Sequence, residues 1–188
     1  MEVAIFGGSF DPPHTAHVLV VAEALASGFD LVVAPVVFSH PFAKDLTPFD
    51  HRVAMLRLAL DSIPGAAVSD VERTLPAPSY TVQTLEALKR ANPTWQMRLI
   101  VGSDVLPELD RWQDPKRVAE LAPLWVLGRA GHPHPDAPQA HLPDLASSRL
   151  RSRLAAAWSR DGTLIKSSLI GDIPLDVLDY IEQHALYR

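Results

Sequence analysis

The sequence predicts an α/β fold in which a doubly wound parallel sheet is followed by C-terminal helices. Three features carry that expectation. Short apolar runs alternate with segments of helical periodicity over roughly the first 130 residues, the order that builds parallel strands through right-handed crossovers. One run, LVVAPVV at residues 31–37, is apolar without alternation, as in a strand covered on both faces. The first apolar run ends in Gly7-Gly8 just before a helix begins, and ligands of parallel sheets bind beyond such strand ends.

Taken in order, residues 2–6 read as a strand and residues 15–26 as a helix with Val18, Val21 and Leu25 on a broad apolar face. A second strand is expected at 31–37 and a loop at 40–48. Residues 48–63 carry Phe49, Val53, Leu56, Leu60 and Ile63 at helical spacing. A third strand follows at 67–71, then a helix at 81–91 bearing Val82, Leu85 and Leu88, and a strand at 98–101 running into Gly102. A short helix at 115–122 and a strand at 124–127 complete the core. Residues 130–144, AGHPHPDAPQAHLPD, are rich in proline and histidine and are expected to form an extended loop. Helices at 147–158 and 174–184 close the chain. This organisation is one domain: a core over about 1–130, the loop at 130–144 and a helical part at 145–188.

With 188 residues, 47% of them hydrophobic, the chain can bury one sizeable core. No window is long and apolar enough to span a bilayer, and the N-terminus lacks a secretory pattern, so a soluble cytoplasmic protein is expected. There are no cysteines, which excludes disulfides and thiolate metal sites. The net charge of −5 argues against nucleic acid as a partner. A small anion needs only a local positive site. Oligomeric state is not legible, and a homo-oligomer is compatible with the composition.

The chemistry concentrates in GGSFDPPHTAH, residues 7–17. The glycines let backbone approach a ligand, and the helix start offers N–H groups and a positive dipole end. His14 and His17 are three apart and so share one helix face. Each imidazole can donate to a phosphate oxygen, and a protonated ring would add charge. Alone, either histidine reads as an ordinary helix-terminus residue. A zinc pair would need a third ligand, and no HExxH pattern is present. The glycines could serve only a tight turn. The combined string favours an anion site.

That string resembles the GG-S/T-FDP-x-H-x-G-H signature of the HxGH-motif nucleotidyltransferase superfamily, with Ala16 where the signature carries glycine. SDVERTLPAPSYTVQTLEAL, LIVGSDVLPELDRW, VLGRAG and the closing IPLDVLDYIEQHALY are similar to stretches of the bacterial nicotinate-nucleotide adenylyltransferases. LASSRLR at 145–151 stands where the second signature, ISSTxIR, is expected. Ser147 and Ser148 match its hydroxyl positions, Arg151 matches its arginine, and Ala146 replaces its first serine.

The resemblance implies a Rossmann-like fold and adenylyl transfer from ATP to nicotinate mononucleotide, giving deamido-NAD and pyrophosphate with Mg²⁺ present. It implies His14, His17 and Arg151 as catalytic residues. Gly7, Gly8, Ser9, Phe10, Gly102, Asp104, Arg129, Ser147 and Ser148 would be further ATP contacts. Lys44, Tyr80, Thr81 and Trp112 would meet the pyridine mononucleotide. Mg²⁺ would be held mainly by phosphates and water.

Each assignment has a plainer alternative. Ser147 or Ser148 can cap one helix, Thr81 another, and Asp104 a third. Asp11 can orient a histidine or the metal's shell, or anchor the turn. Trp112 can stack on the pyridine or pack in the core, and Arg129 can be a solvated charge at a strand end. Ala16, Ala146, the lack of a compact PPHK near Lys44 and a long segment at 155–172 depart from the family pattern. They keep two rival readings open: a nicotinamide mononucleotide acceptor, and a nucleotide-binding relative without catalysis.

Overall fold

The computed structural model describes residues 1–39 and 45–188. Lys44 and most of the front of the expected 40–48 loop lie outside the described residues. Five parallel strands, β1 (Glu2–Ile5), β2 (Leu31–Pro35), β3 (Ala66–Ser69), β4 (Gln96–Gly102) and β5 (Leu124–Leu127), lie in the order β3-β2-β1-β4-β5. β1 is central: Ile5 pairs with Val33 of β2 on one side and with Leu99 of β4 on the other. The chain winds outward from β1 to β3, then crosses back to β4. The crevice beyond the carboxyl ends of β1 and β4 is therefore the switch point, where such sheets bind ligands.

The described residues form six α-helices: α1 (Thr15–Ala26), α2 (Phe49–Leu60), α3 (Thr81–Ala91), α4 (Pro115–Leu121), α5 (Ser147–Ala156) and α6 (Leu175–Gln183). Strand alternation divides the core between two faces. Ala4 and Val32 pack with Val21 of α1 and with Val53 and Leu56 of α2. Val3, Ile5 and Leu99 pack with Leu85 of α3 and Val118 of α4. A third cluster joins Met55 and Ala59 on the far side of α2 to Leu150 and Leu154 of α5 and to Leu178 and Ile181 of α6. The C-terminal helices thus complete the core through α2 rather than through the sheet. No described helix is long and apolar enough to cross a membrane.

The expected elements all occur, with instructive shifts. Residues 36–37 leave the second strand: Val36 pairs with Gly8 in an isolated bridge, and Val37 N–H donates to Gly8 C=O at 3.0 Å. That pairing extends the sheet edge under the glycine turn. The third strand ends at Ser69, and residues Val71–Thr74 and Leu106–Arg111 form 3₁₀ turns that the periodicity did not show. The fourth strand starts earlier than expected, at Gln96.

The proline- and histidine-rich stretch is docked rather than free. Arg129 and His132 form a bridge, Leu142 packs on the first core cluster, and His141 Nε2 lies 2.9 Å from Glu23 Oε2 on α1. Gly128 permits this return of the chain, because a Cβ there would sit 2.1 Å from the Pro138 carbonyl oxygen.

Candidate active site

A cavity of about 660 Å³ opens at the switch point, lined from β1, β4, β5, α1, α3 and the start of α5. Its floor is the turn after β1. Gly8 is held to Pro35 by its N–H and to Val37 by its carbonyl. Phe10, with φ 49° and 2% exposure, turns its ring inward. The ring packs edge-on to Phe6 and His17, with centroids 5.6 and 5.0 Å away. Phe10 borders the cavity chiefly as the wedge that seats His17.

His14 is the N-cap of α1 and His17 lies one turn on. Their rings stack, with centroids 3.6 Å apart and planes 20° apart. His17 Nδ1 accepts a hydrogen bond from His14 backbone N–H at 3.1 Å. A neutral His17 must then carry its proton on Nε2, which makes Nε2–H the ring's donor. Burial, and then the Arg129 charge, lower the pKa of His14 to about 4, with Asp172 opposing. Burial, His14 and Arg129 hold His17 well below its ordinary value. Both shifts favour the neutral ring at pH 7, where each imidazole still has an N–H to donate. His14 Nδ1 is buried with no hydrogen-bond partner among the described residues.

The helix start is also less open than expected. His14 N–H is taken by His17 Nδ1, and Thr15 N–H donates to the Asp172 carbonyl at 2.8 Å. The imidazoles are the principal donors at this terminus.

The second motif meets the first across 135 residues. Ser147 Oγ donates to the Pro12 carbonyl at 3.0 Å, and Arg151 Nη1 donates to the Asp11 carbonyl at 2.7 Å. Ser147 is the first helical residue of α5 and Ala146 its N-cap, without a side-chain cap bond. The serines therefore do not cap the helix, and Ser147 instead ties it to the histidine turn. Ser148 and Arg151 line the cavity from α5.

Asp11 settles as an anchor. It is 1% exposed, and its carboxylate accepts from Thr47 N–H at 3.2 Å and from the Tyr187 hydroxyl at 2.6 Å.

From β4 and β5 come Gly102, Asp104 and Arg129, all lining the cavity. Asp104 does not cap the following turn, whose N-cap is Val105. Its Oδ2 accepts from Arg129 Nη1 at 2.6 Å. A Cβ on Gly102 would lie 2.3 Å from Asp104 Oδ1, so glycine makes room for this carboxylate. Ser103 Oγ donates to the His132 carbonyl and accepts from Arg129 N–H, fixing the two strand ends together. Arg129 is thus held by backbone and side chain, and is more than a loose charge at a strand end.

Thr81 and Trp112 line the cavity with Thr84 and Glu72. Tyr80 is not among the lining residues; it is the N-cap of α3 and packs on the second core cluster. Thr81 is accordingly the first helical residue rather than the cap, and the Gln83 side chain accepts from Tyr80 N–H at 3.3 Å. Trp112 borders the cavity and also packs on the second core cluster.

Among the described residues, no group of three His, Asp or Glu side chains could hold a metal ion. The cavity offers imidazole, hydroxyl and guanidinium donors, which suit phosphate oxygens, whereas Mg²⁺ takes oxygen ligands. Such a donor set fits a metal that arrives already bound to a polyphosphate.

Residues 5–153 match the cytidylyltransferase-like family. A probable nicotinate-nucleotide adenylyltransferase of Anaeromyxobacter dehalogenans (strain 2CP-C) is 41% identical over 192 residues, spanning 100% of this chain and 97% of that one. The chain belongs to the nicotinate-nucleotide adenylyltransferase family. A probable nicotinate-nucleotide adenylyltransferase of Myxococcus xanthus (strain DK1622) is 33% identical across 100% of this chain and 95% of its own. The fold is shared with a Plasmodium falciparum nicotinic acid mononucleotide adenylyltransferase complexed with NaAD. That match has a TM-score of 0.79 at 21% identity and covers 99% of this chain and 97% of that one.

For a member of this family, the departures now have positions. Ala16 is 9% exposed and lines the cavity between the two histidines. The long 155–172 segment returns to the site: besides the Asp172 carbonyl bond, Thr15 Oγ1 donates to the Gly171 carbonyl at 2.7 Å. It braces the start of α1.

Three further residues of the site were not foreseen. Arg52 is 1% exposed and donates to the carbonyls of Ser9, Val37 and Thr47 at 2.8–2.9 Å. Glu72 joins Phe38 N–H and Thr84 Oγ1 at 3.0 and 2.8 Å. Tyr187 reaches Asp11. A signal existed for Arg52, which sits three residues after Phe49 and four before Leu56 on an apolar helix face.

Proposed function

We propose that this chain moves the adenylyl group of ATP to nicotinate mononucleotide, releasing pyrophosphate and forming deamido-NAD. The observation that carries the reading is the stacked His14–His17 pair at the start of α1, in one cavity with Arg151 and Arg129. Full-length relatives named for this activity support it. So do fold neighbours described as complexed with NaAD and with APC.

The acceptor's phosphate is its own nucleophile, since a phosphate monoester is largely dianionic at pH 7 (second pKa about 6). One of its oxygens bonds to the α-phosphorus of ATP as the bond from that phosphorus to the bridging oxygen breaks. Pyrophosphate leaves with the electron pair, and no covalent enzyme intermediate forms. The protein's work is alignment and charge stabilisation. His14 meets the α-phosphate, His17 donates from Nε2–H to the triphosphate, and Ser148 and Arg151 hold the β- and γ-phosphates. Neutral donors suit this task, because their N–H dipoles are already oriented and need no proton taken up.

Gly7, Gly8 and Ser9 give the backbone floor, and Asp104 with Arg129 meets the nucleoside. Thr81 and Trp112 face the pyridine mononucleotide. When bound with ATP, Mg²⁺ would neutralise phosphate charge, held mainly by the phosphates and water. ATP supply makes the cytoplasm the expected compartment.

The test is pyrophosphate release with Mg–ATP and each acceptor separately. Release is expected with nicotinate mononucleotide and at least about tenfold slower with nicotinamide mononucleotide, the worth of one charge-assisted hydrogen bond. Tight ATP binding without release for any acceptor would replace this reading with a non-catalytic one.

A further inference from the structure

The last turn of the chain ends at the catalytic loop. After α6 the backbone turns back with Ala185 at φ 49° and Tyr187 at φ 58°. Both are left-handed conformations that non-glycine residues hold only where their surroundings demand it. The turn delivers the Tyr187 hydroxyl to Asp11 Oδ1 at 2.6 Å, across 176 residues. Burial and the Asp11 charge push the phenol's pKa up, so it stays a proton donor. Asp11 lies three residues before His14. Its carbonyl accepts from Arg151 Nη1 at 2.7 Å, while its carboxylate Oδ2 stands 3.9 Å from the same nitrogen. The carboxylate and an incoming triphosphate therefore compete for one guanidinium.

We propose that Tyr187 is a positioning residue for ATP binding: by satisfying the buried Asp11 carboxylate, its hydroxyl keeps Arg151 available to the triphosphate. Without that hydroxyl, Asp11 loses one of the two donors its carboxylate has among the described residues, Tyr187 O–H and Thr47 N–H. A buried carboxylate left short of donors draws in the nearest cation. Among the described residues the cation within 4 Å of that carboxylate is Arg151, and a guanidinium engaged by Oδ2 has fewer N–H groups left for a triphosphate.

The inference rests on the proposed ATP site, yet its test does not depend on which acceptor is used. The affinity for Mg–ATP is measured without acceptor by titration calorimetry. The proteins compared are the full chain, Tyr187→Phe, Arg151→Gln and the double variant, with thermal midpoints alongside. Tyr187→Phe is expected to weaken Mg–ATP binding about tenfold, the worth of one hydrogen bond to a charged group. The KM for the acceptor should stay unchanged. In the Arg151→Gln background the same change should weaken binding less than about twofold, because the two act as one unit. Equal weakening in both backgrounds, or a loss that tracks a lowered midpoint and raises both KM values alike, would overturn the proposal in favour of a purely structural tail. Absence of turnover with every acceptor would count against the adenylyl-transfer reading while leaving this cycle readable.

Discussion

Replacing His14 with alanine will lower kcat by roughly a hundred- to a thousandfold, while the affinity for ATP falls only a few-fold. The size is that of one donor aimed at charge that develops during the reaction. The α-phosphate gains negative charge on its equatorial oxygens as the two phosphates exchange, so a donor there matters most at the transition state. The substitution is also clean in one respect. His17 Nδ1 is held by the His14 backbone N–H, which alanine keeps. The tautomer of His17 therefore survives, and the loss reports the His14 ring together with its stacking on His17. Steady-state kinetics with both substrates, together with ATP affinity by calorimetry, make the comparison. Equal losses in kcat/KM and in ATP affinity would show that His14 holds the ground state only.

Arg52→Leu will cost about 3 kcal/mol of stability, set by three carbonyls losing their donor less the relief of an unpaired buried charge. For a chain of this size that corresponds to a thermal midpoint lower by roughly 6–12 °C. The guanidinium reaches Ser9, Val37 and Thr47 at once, tying the glycine turn to the residues after β2 and before α2. Burial lowers its pKa, with Asp11 foremost in opposing that shift. Lysine keeps the charge without the planar fork, so Arg52→Lys should recover only part of the loss. Turnover should fall more than the unfolded fraction explains, since Ser9 is part of the cavity floor. A leucine variant as stable as the parent would show that these carbonyls find water instead.

What the sequence revealed and what it hid divide along contact range. The parallel sheet was legible because strand and helix periods are local, and the histidine motif because all its parts fall within residues 7–17. Roles that depend on meeting a distant segment were not. Ser147 looks like a helix cap in sequence, yet its hydroxyl serves Pro12. Thr81 looks like one too, and Tyr80 takes that place. Charge on the histidines could not be read, because the burial and the Arg129 proximity that remove it are tertiary. The 130–144 stretch reads as a free loop from its prolines, whereas the space above Gly128 that admits it is visible only in three dimensions. Tyr187 is the extreme case, since nothing near it in the chain points to Asp11.

The paired rings can be observed directly by long-range ¹H–¹⁵N spectra of the imidazoles, recorded over a pH titration with and without Mg–ATP. Without nucleotide, His14 is expected to protonate near pH 4 and His17 to remain neutral at pH 7 with its proton on Nε2. A bound polyanion favours the charged ring, so Mg–ATP should shift both sets of resonances and move the His14 pKa upward, with proton uptake making ATP binding tighter as pH falls. Rings whose resonances do not respond to Mg–ATP at saturation would contradict the assignment of this pair to the triphosphate.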